Sequence, residues 1–320
     1  MASILTFASY GALLYVVGKA AWTVSETLAA FWRGHIKNLV EFSGGTWAFV
    51  TGATDGIGKG YATQLAKRGF NVVIVGRNPN KLQHTEATIK SCAPNVEVKQ
   101  LVYDFTDSSL ESYERELKPT IEQLKIGILV NNVGQLASHN YFHLQSVNEL
   151  RNSAVVNTVP AVVLSRFVLP QMLRRQRGVI VNISTSVAGF LSSVPGAAVY
   201  SATKTLLDVF TASLQGEYSD QGLFIQVVHP FFVATQMSRR TETSLFTVSA
   251  DDFAEAAVNR IAVQDNTFAY WPHALQGLAW KLLCSLPIPK KIMDKLVLKI
   301  CVDLGDDLRA KEDQKTNKIE

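Results

Sequence analysis

Through the middle of the chain, short apolar runs alternate with longer stretches of helical period. Runs at 47–51, 71–75, 96–104, 126–132, 178–184 and 224–230 have strand length and are apolar almost throughout. Helix-like segments at about 57–67, 108–124, 147–174 and 200–219 separate them. Continuous apolar strands spaced by helices predict a parallel sheet covered on both faces. Right-handed crossovers then give an α/β, doubly wound, Rossmann-type sheet. In such sheets ligands sit beyond the carboxyl ends of the strands, so the residues just after each strand are the ones to inspect.

The two ends follow other patterns. Residues 2–18 carry no charge, a length at the short end of a membrane span, and Lys19 can snorkel to the interface. Arg33, His35 and Lys37 follow, and no basic side chain precedes the stretch. This pattern predicts an uncleaved hydrophobic anchor helix within 1–33, with the bulk of the chain on the cytosolic side. Residues 273–304 are apolar but punctuated by Lys281, Lys290, Lys291, Lys295 and Lys299, and Pro287 and Pro289 break any single helix. That fits a C-terminal extension of amphipathic helices at a membrane surface, a second hydrophobic hairpin, or a helix docked on the domain. The polar stretch 306–320 is expected to be loose. The expected domains are a membrane anchor at 1–33, a catalytic domain at 45–265 and a membrane-associated extension with a polar tail at 266–320.

Composition narrows the class. Of 320 residues, 47% are hydrophobic and only 18% charged, which excludes a disordered polar chain and favours membrane contact. A net charge of +4, from 31 basic and 27 acidic residues, is too small to argue for nucleic acid. Cys92, Cys284 and Cys301 are far apart and odd in number, giving neither a disulfide framework nor a metal knuckle. They read as the reduced thiols of a cytosol-facing protein.

The first strand is followed by Thr51-Gly52-Ala53-Thr54-Asp55-Gly56-Ile57-Gly58. Glycines in a tight turn between a strand and a helix let the backbone approach a pyrophosphate, and the helix offers its positive end. The second strand ends at Gly76-Arg77-Asn78, with no carboxylate to hold a ribose hydroxyl. Arg77 suits a 2′-phosphate instead, so NADP(H) is expected over NAD. Asp104 is a candidate for the adenine amino group, or else a helix N-cap. Asn131, Asn132, Val133 and Gly134 close the fourth strand, and the asparagines are expected to pin neighbouring strands and shape the adenosine pocket. Tyr200 and Lys204, four apart, share one helix face, and an ammonium beside a phenol lowers its pKa.

Together TGATDGIG, NNVG, Asn157, the NIS-containing strand and YSATK resemble the short-chain dehydrogenase/reductase family, over about residues 45–237. The phrases GKGYATQLAKRG, GRNPNKL, YSATKTLLDVF and VATQM are most similar to the membrane-bound very-long-chain 3-oxoacyl-CoA reductases and the related 17β-hydroxysteroid dehydrogenases. Tyr270-Trp271-Pro272-His273-Ala274-Leu275 looks like the plant members.

The resemblance implies an oxidoreductase that moves hydride from NADPH to a C3 ketone, with Tyr200 giving the proton and Lys204 tuning it and holding the ribose. It implies that Asn157 holds a relay water, helped by a carbonyl that Pro160 exposes, and that a serine-type hydroxyl polarises the carbonyl. Counting from Asn182 puts Thr185 at that position; reading the following residues as S-x-A-G puts Ser186 there, and the less stiff Ser186 is preferred. Val233 and Thr235 are expected at the nicotinamide. The implied cofactor-binding set is thus Gly52, Thr54, Asp55, Gly56, Ile57, Gly58, Arg77, Asn78, Asp104, Asn131, Val133, Tyr200, Lys204, Val233 and Thr235, with no metal. Arg239 and Arg240 either meet coenzyme A phosphates or are solvated.

The implied function is reduction of very-long-chain 3-oxoacyl-CoA in fatty acid elongation at the endoplasmic reticulum membrane. The expected partners are a lipid substrate, the membrane and other elongation enzymes. A 17β-hydroxysteroid dehydrogenase and a silent membrane scaffold are the alternatives.

Overall fold

The computed structural model describes residues 34–186, 193–240, 242–286 and 288–316, with parts of 18–31. Seven strands form one parallel sheet in the order β3-β2-β1-β4-β5-β6-β9. They are β1 Trp47–Thr51, β2 Asn71–Gly76, β3 Val98–Val102, β4 Ile126–Asn131, β5 Gly178–Ile183, β6 Leu223–Val228 and β9 Asn266–Thr267. The chain turns back between β1 and β4, which pair with each other, and so opens a crevice at their carboxyl ends. β7 Val233–Ala234 and β8 Val248–Ser249 make a separate small ladder.

Burial explains the strand pattern. Every residue of β1, β4 and β5 is buried, because helices cover both faces of the central sheet. β3 lies at the edge and is only partly buried, and it is shorter than the 96–104 run. Two apolar clusters, one on each side of the sheet, hold the domain. Each fully buried Leu, Ile, Val or Phe contributes about 1.5–3 kcal/mol.

The doubly wound parallel sheet is present as expected, with differences in detail. The predicted 108–124 helix is two helices, Leu110–Glu116 and Lys118–Gln123, with Pro119 starting the second. A helix at Pro79–Cys92 buries only Leu82, Thr85 and Ile89, a stripe too thin to read from hydropathy. The strand β9 lies just past residue 265 and extends the sheet beyond that boundary.

The helix Val147–Arg174 is the one described helix long and apolar enough to cross a membrane. It packs on β4, β5 and the helix Ala198–Tyr218, with Val156, Leu164, Val168, Leu169 and Met172 in the core and Val147 and Val162 exposed.

The predicted anchor lies mostly outside the described residues. The described parts of 18–31 are helical, Thr23 and Thr27 bond back to Lys19 O and Thr23 O, and the Phe31 ring lies 5.5 Å from the Arg260 guanidinium. Beyond the sheet run the helices Trp271–Ser285 and Lys290–Thr316, separated around Pro289. The second continues through much of the polar stretch expected to be loose, since its Lys, Arg, Ala, Glu and Gln are good helix formers.

Both helices dock on the domain along one face. His273, Ala274, Val297 and Cys301 are buried, while Leu282, Leu286, Ile292, Leu296 and Ile300 are exposed. His273 is fully enclosed among the rings of Phe231, Phe253 and Tyr270, and burial pushes its pKa down to about 4, so it stays neutral. It therefore packs the C-terminal segment onto the domain, while Trp271 remains exposed.

Candidate active site

The crevice holds a cavity of about 640 Å³, within the usual range for small-molecule sites. One end is built from backbone. Gly52 and Gly56 take φ of +62° and +52° respectively, a conformation that favours glycine. Asn132 Nδ2 donates to Thr51 O at 2.9 Å and to Gly52 O at 3.2 Å. Thr51 Oγ1 accepts the Asn132 and Val133 N–H groups, each at 3.0 Å. These bonds tie the tip of β1 to the tip of β4 at the floor of the crevice. A Cβ on Gly58 would collide with Gly52 O and Asn132 Nδ2, so glycine lets the helix Gly56–Lys67 seat against the turn.

Asp55 caps that helix by accepting the Gly56 N–H at 2.6 Å, and Lys81 Nζ stands 3.7 Å from its carboxylate. A Cβ on Gly76 would lie 2.6 Å from Thr54 Cγ2, so the end of β2 closes tightly on the turn. Arg77 stands exposed on the cavity wall. Asn78 is not in the wall; it caps the helix Pro79–Cys92 by accepting the Lys81 N–H. Asp104 is in the wall and accepts the Thr106 N–H, while Ser109 caps the following helix, so the N-cap alternative for Asp104 falls.

The other end is built from side chains. Tyr200 and Lys204, in the first two turns of the helix Ala198–Tyr218, line the cavity with Ile183 and Ser184. Lys204 Nζ donates to Ile183 O at 2.8 Å and lies 5.9 Å from the Tyr200 ring centroid. Burial pushes Lys204 down to about 8, against the pull of Asp208 one turn on. Burial also pushes Tyr200 up to about 12, opposed by a hydrogen bond with the Thr185 side chain. Desolvation thus sets the direction, contrary to the acidification expected, and the phenol is protonated at neutral pH.

Of the two candidate hydroxyls, that of Thr185 is the one whose hydrogen bond pulls on the Tyr200 phenol. The Ser186 N–H donates to Pro230 O at 3.0 Å, and both side chains, Thr185 and Ser186, are buried outside the cavity wall.

Three further candidates sit elsewhere than expected. Asn131 is buried and donates to Asn182 Oδ1 at 2.8 Å and Ser165 Oγ at 3.2 Å. It pins strands, as read, but faces away from the cavity; its neighbour Asn132 faces in, because successive residues of a strand alternate. Val233 is core, its carbonyl accepting Ser238 Oγ at 2.7 Å, while Thr235 reaches the wall. Asn157 is buried and lies outside the cavity wall. It accepts the Gln135 N–H at 2.7 Å and donates to Gln135 O, Ser153 Oγ and Thr203 Oγ1. Its side chain locks the segment after β4 to two helices. Pro160 lacks the N–H that would meet Val156 O in the helical ladder, and Val156 lines the cavity.

Sequence reasoning passed over Asp208 and His229, 3.9 Å apart behind Lys204. Desolvation raises the Asp208 pKa, opposed by His229, Ser184 and Lys204. Of the two arginines, Arg239 is in the wall and Arg240 lies over the Phe232 ring at 3.9 Å.

Comparison with known proteins follows the same lines. Residues 46–245 match the family model described as "short chain dehydrogenase". A Caenorhabditis briggsae protein named as a very-long-chain 3-oxoacyl-CoA reductase is 39% identical over 96% of both chains. A Caenorhabditis elegans protein named "Putative steroid dehydrogenase 1" is 40% identical over 87% of both. Among solved structures, a short-chain dehydrogenase from Sphingobium yanoikuyae in complex with NADPH superposes with a TM-score of 0.61 at 27% identity, covering 75% of this chain and 96% of its own.

Proposed function

The chain belongs to the short-chain dehydrogenase family, and on that premise we propose that it reduces very-long-chain 3-oxoacyl-CoA to the 3-hydroxy thioester with NADPH. One observation carries the reading: a protonated Tyr200, bonded to Thr185 and backed by Lys204, shares a single cavity with a glycine-built nucleotide seat. The residues present fit the cofactor. Gly52 and Gly56 leave backbone room, and Arg77 offers a guanidinium where an NAD site would carry a carboxylate. The solved relative in complex with NADPH supports the same choice.

NADPH, when bound, supplies the hydride that reduces the C3 carbonyl carbon. Tyr200 gives its phenolic proton to the carbonyl oxygen as that oxygen gains charge. The Thr185 hydroxyl bonds to the same oxygen and orients it. Lys204, anchored on Ile183 O, holds positive charge beneath the phenol and reaches the ribose hydroxyls. Asn157 acts through position, by fixing Gln135 and Thr203 around Lys204.

The finer reading extends to location. Residues 1–33 form a membrane anchor, 45–265 the catalytic domain and 266–320 a membrane-associated extension. The catalytic domain faces the cytosol at the endoplasmic reticulum, beside the other elongation enzymes. The apolar, charge-free start of the chain and the exposed Leu282, Leu286, Ile292 and Ile300 support this.

A steroid ketone is the second substrate class, favoured by the 40% identical relative's name. The test is NADPH oxidation by purified full-length protein in detergent, with 3-oxoacyl-CoA esters of increasing chain length and with 17-ketosteroids. The reading requires turnover of the long thioesters at more than ten times the steroid kcat/KM, about 1.4 kcal/mol of discrimination. Preference for the steroid would overturn it.

A further inference from the structure

A second cavity, of about 470 Å³, lies against the C-terminal helix and is lined by Pro195, Lys290, Lys291, Asp294, Lys295 and Leu298. Its charge is lopsided: three ammonium groups and one carboxylate. The carboxylate is already neutralised, since Lys290 Nζ holds Asp294 Oδ2 at 2.7 Å, and both bond to Ser193 Oγ. Lys291 and Lys295 are exposed and carry no hydrogen bond or ion pair among the described residues. The groove also sits at the start of the helix Lys290–Thr316, the positive end of its dipole.

The groove is joined to the catalytic end. Pro195 in its wall belongs to the segment 193–197, which runs directly into the helix bearing Tyr200. That segment is held on both sides. The Asn140 N–H donates to Gly196 O at 3.1 Å, and Val194 and Ala197 pack with Val297 and Cys301. Tyr200 is five steps along the chain from Pro195, so their Cα atoms are at most about 18 Å apart. A phosphate held in the groove is thus within the span of an extended thiol arm whose acyl end reaches Tyr200.

We infer that this lysine groove binds the phosphate groups of the substrate's coenzyme A carrier. The inference rests on the thioester reading above and deepens it: the acyl end is chosen at Tyr200 and the carrier end at Lys291 and Lys295. Arg240 is already stacked on Phe232 and Arg239 lines the same cavity as the nucleotide seat, which leaves the C-terminal lysines as the better seat for those phosphates.

The test uses full-length protein in neutral detergent with NADPH saturating, so that the nucleotide site is filled. Titration calorimetry with free coenzyme A is compared for the wild type, K291E/K295E, K291R/K295R and the distant charge control K67E. The inference predicts binding by the wild type, K291R/K295R and K67E. It predicts binding at least about tenfold weaker in K291E/K295E, the loss of one or more charge-assisted contacts. NADPH binding serves as the check that the variant is folded.

Equal binding by K291E/K295E, or none by the wild type, overturns the inference. A parallel arm measures flotation with vesicles of phosphatidylcholine, with and without phosphatidylserine. If the variant loses only the phosphatidylserine-dependent flotation and still binds coenzyme A, the lysines serve lipid headgroups and the inference is overturned. The function reading fails separately, if coenzyme A binds as predicted but no 3-oxoacyl thioester oxidises NADPH.

Discussion

The two ends of the main cavity are built on different principles. The nucleotide end is backbone against backbone: Gly52, Gly58 and the tips of β1 and β4 meet with no room for a Cβ. The catalytic end is side chain against side chain, and its geometry depends on the 193–197 segment and on a helix that begins almost a hundred residues later. A steric requirement between neighbouring residues admits one residue type. A contact made by distant packing admits many. The first kind of wall suits a part common to many substrates, and the second suits the part that distinguishes them.

The contrast can be broken or sharpened by substitution. The largest effect is expected at Tyr200→Phe, which removes the proton donor. NADPH oxidation should fall by about 10²–10⁴-fold, with NADPH affinity unchanged by fluorescence titration. Retention of full activity would instead favour the scaffold alternative.

Next comes the hydroxyl pair. Thr185→Val should lower kcat by up to about 10²-fold, the loss of one donor at the reacting oxygen, while Ser186→Ala leaves kcat nearly unchanged. The reverse order would move the role to Ser186.

A glycine pair then compares the two ends directly. Gly58→Ala should cost about 1–3 kcal/mol of stability through overpacking, seen in the urea midpoint, and should weaken NADPH binding. Gly196 has φ +89° and its Cβ would lie 2.7 Å from Cys301 Cβ. Gly196→Ala should therefore raise KM for the acyl substrate and leave NADPH affinity as it was. If Gly196→Ala weakened NADPH binding as much, the two ends would not be separable.

The smallest effect concerns pH. Lys204 is held at about 8 in the folded protein, below its ordinary value of 10.5. The unfolded chain therefore binds more protons between those values, and stability rises with pH across that window. Below 8 the full cost of burying the ammonium is felt, roughly 3 kcal/mol at most. In the cofactor-free protein, Lys204→Met should flatten the rise in stability between pH 8 and 10.5. An unchanged profile would show that Lys204 titrates normally.

Much of the nucleotide end was legible because its causes are local. A glycine that must take positive φ, or admit a carbonyl, announces itself between a strand and a helix. The long helix Val147–Arg174 was legible in full, from Ser146 at its N-cap to the basic Arg174 in its last turn.

What escaped the sequence depends on parity and on distant packing. Asn131 and Asn132 are chemically identical, and only the pleat decides which faces the cavity. Thr185 and Ser186 lie just past the last ladder residue of β5, where alternation no longer dictates which side chain turns toward Tyr200. The two-residue β9 is Asn266–Thr267, too short and polar to signal a strand. Asp208 and His229 meet only because β6 and the helix Ala198–Tyr218 pack together.

The amide bridge inside the sheet has one more effect. Asn131 and Asn182 stand opposite each other in the β4–β5 register, and Asn182 passes the chain of donors on to Thr211. A hydrocarbon pair would tolerate a small slide of one strand along the other. Two amides sealed away from water would not, because a slip of one residue breaks the buried bond between them. The spacing between the carrier of hydride and the carrier of the proton is therefore quantised: it can be right or lost, with no gradual loosening between.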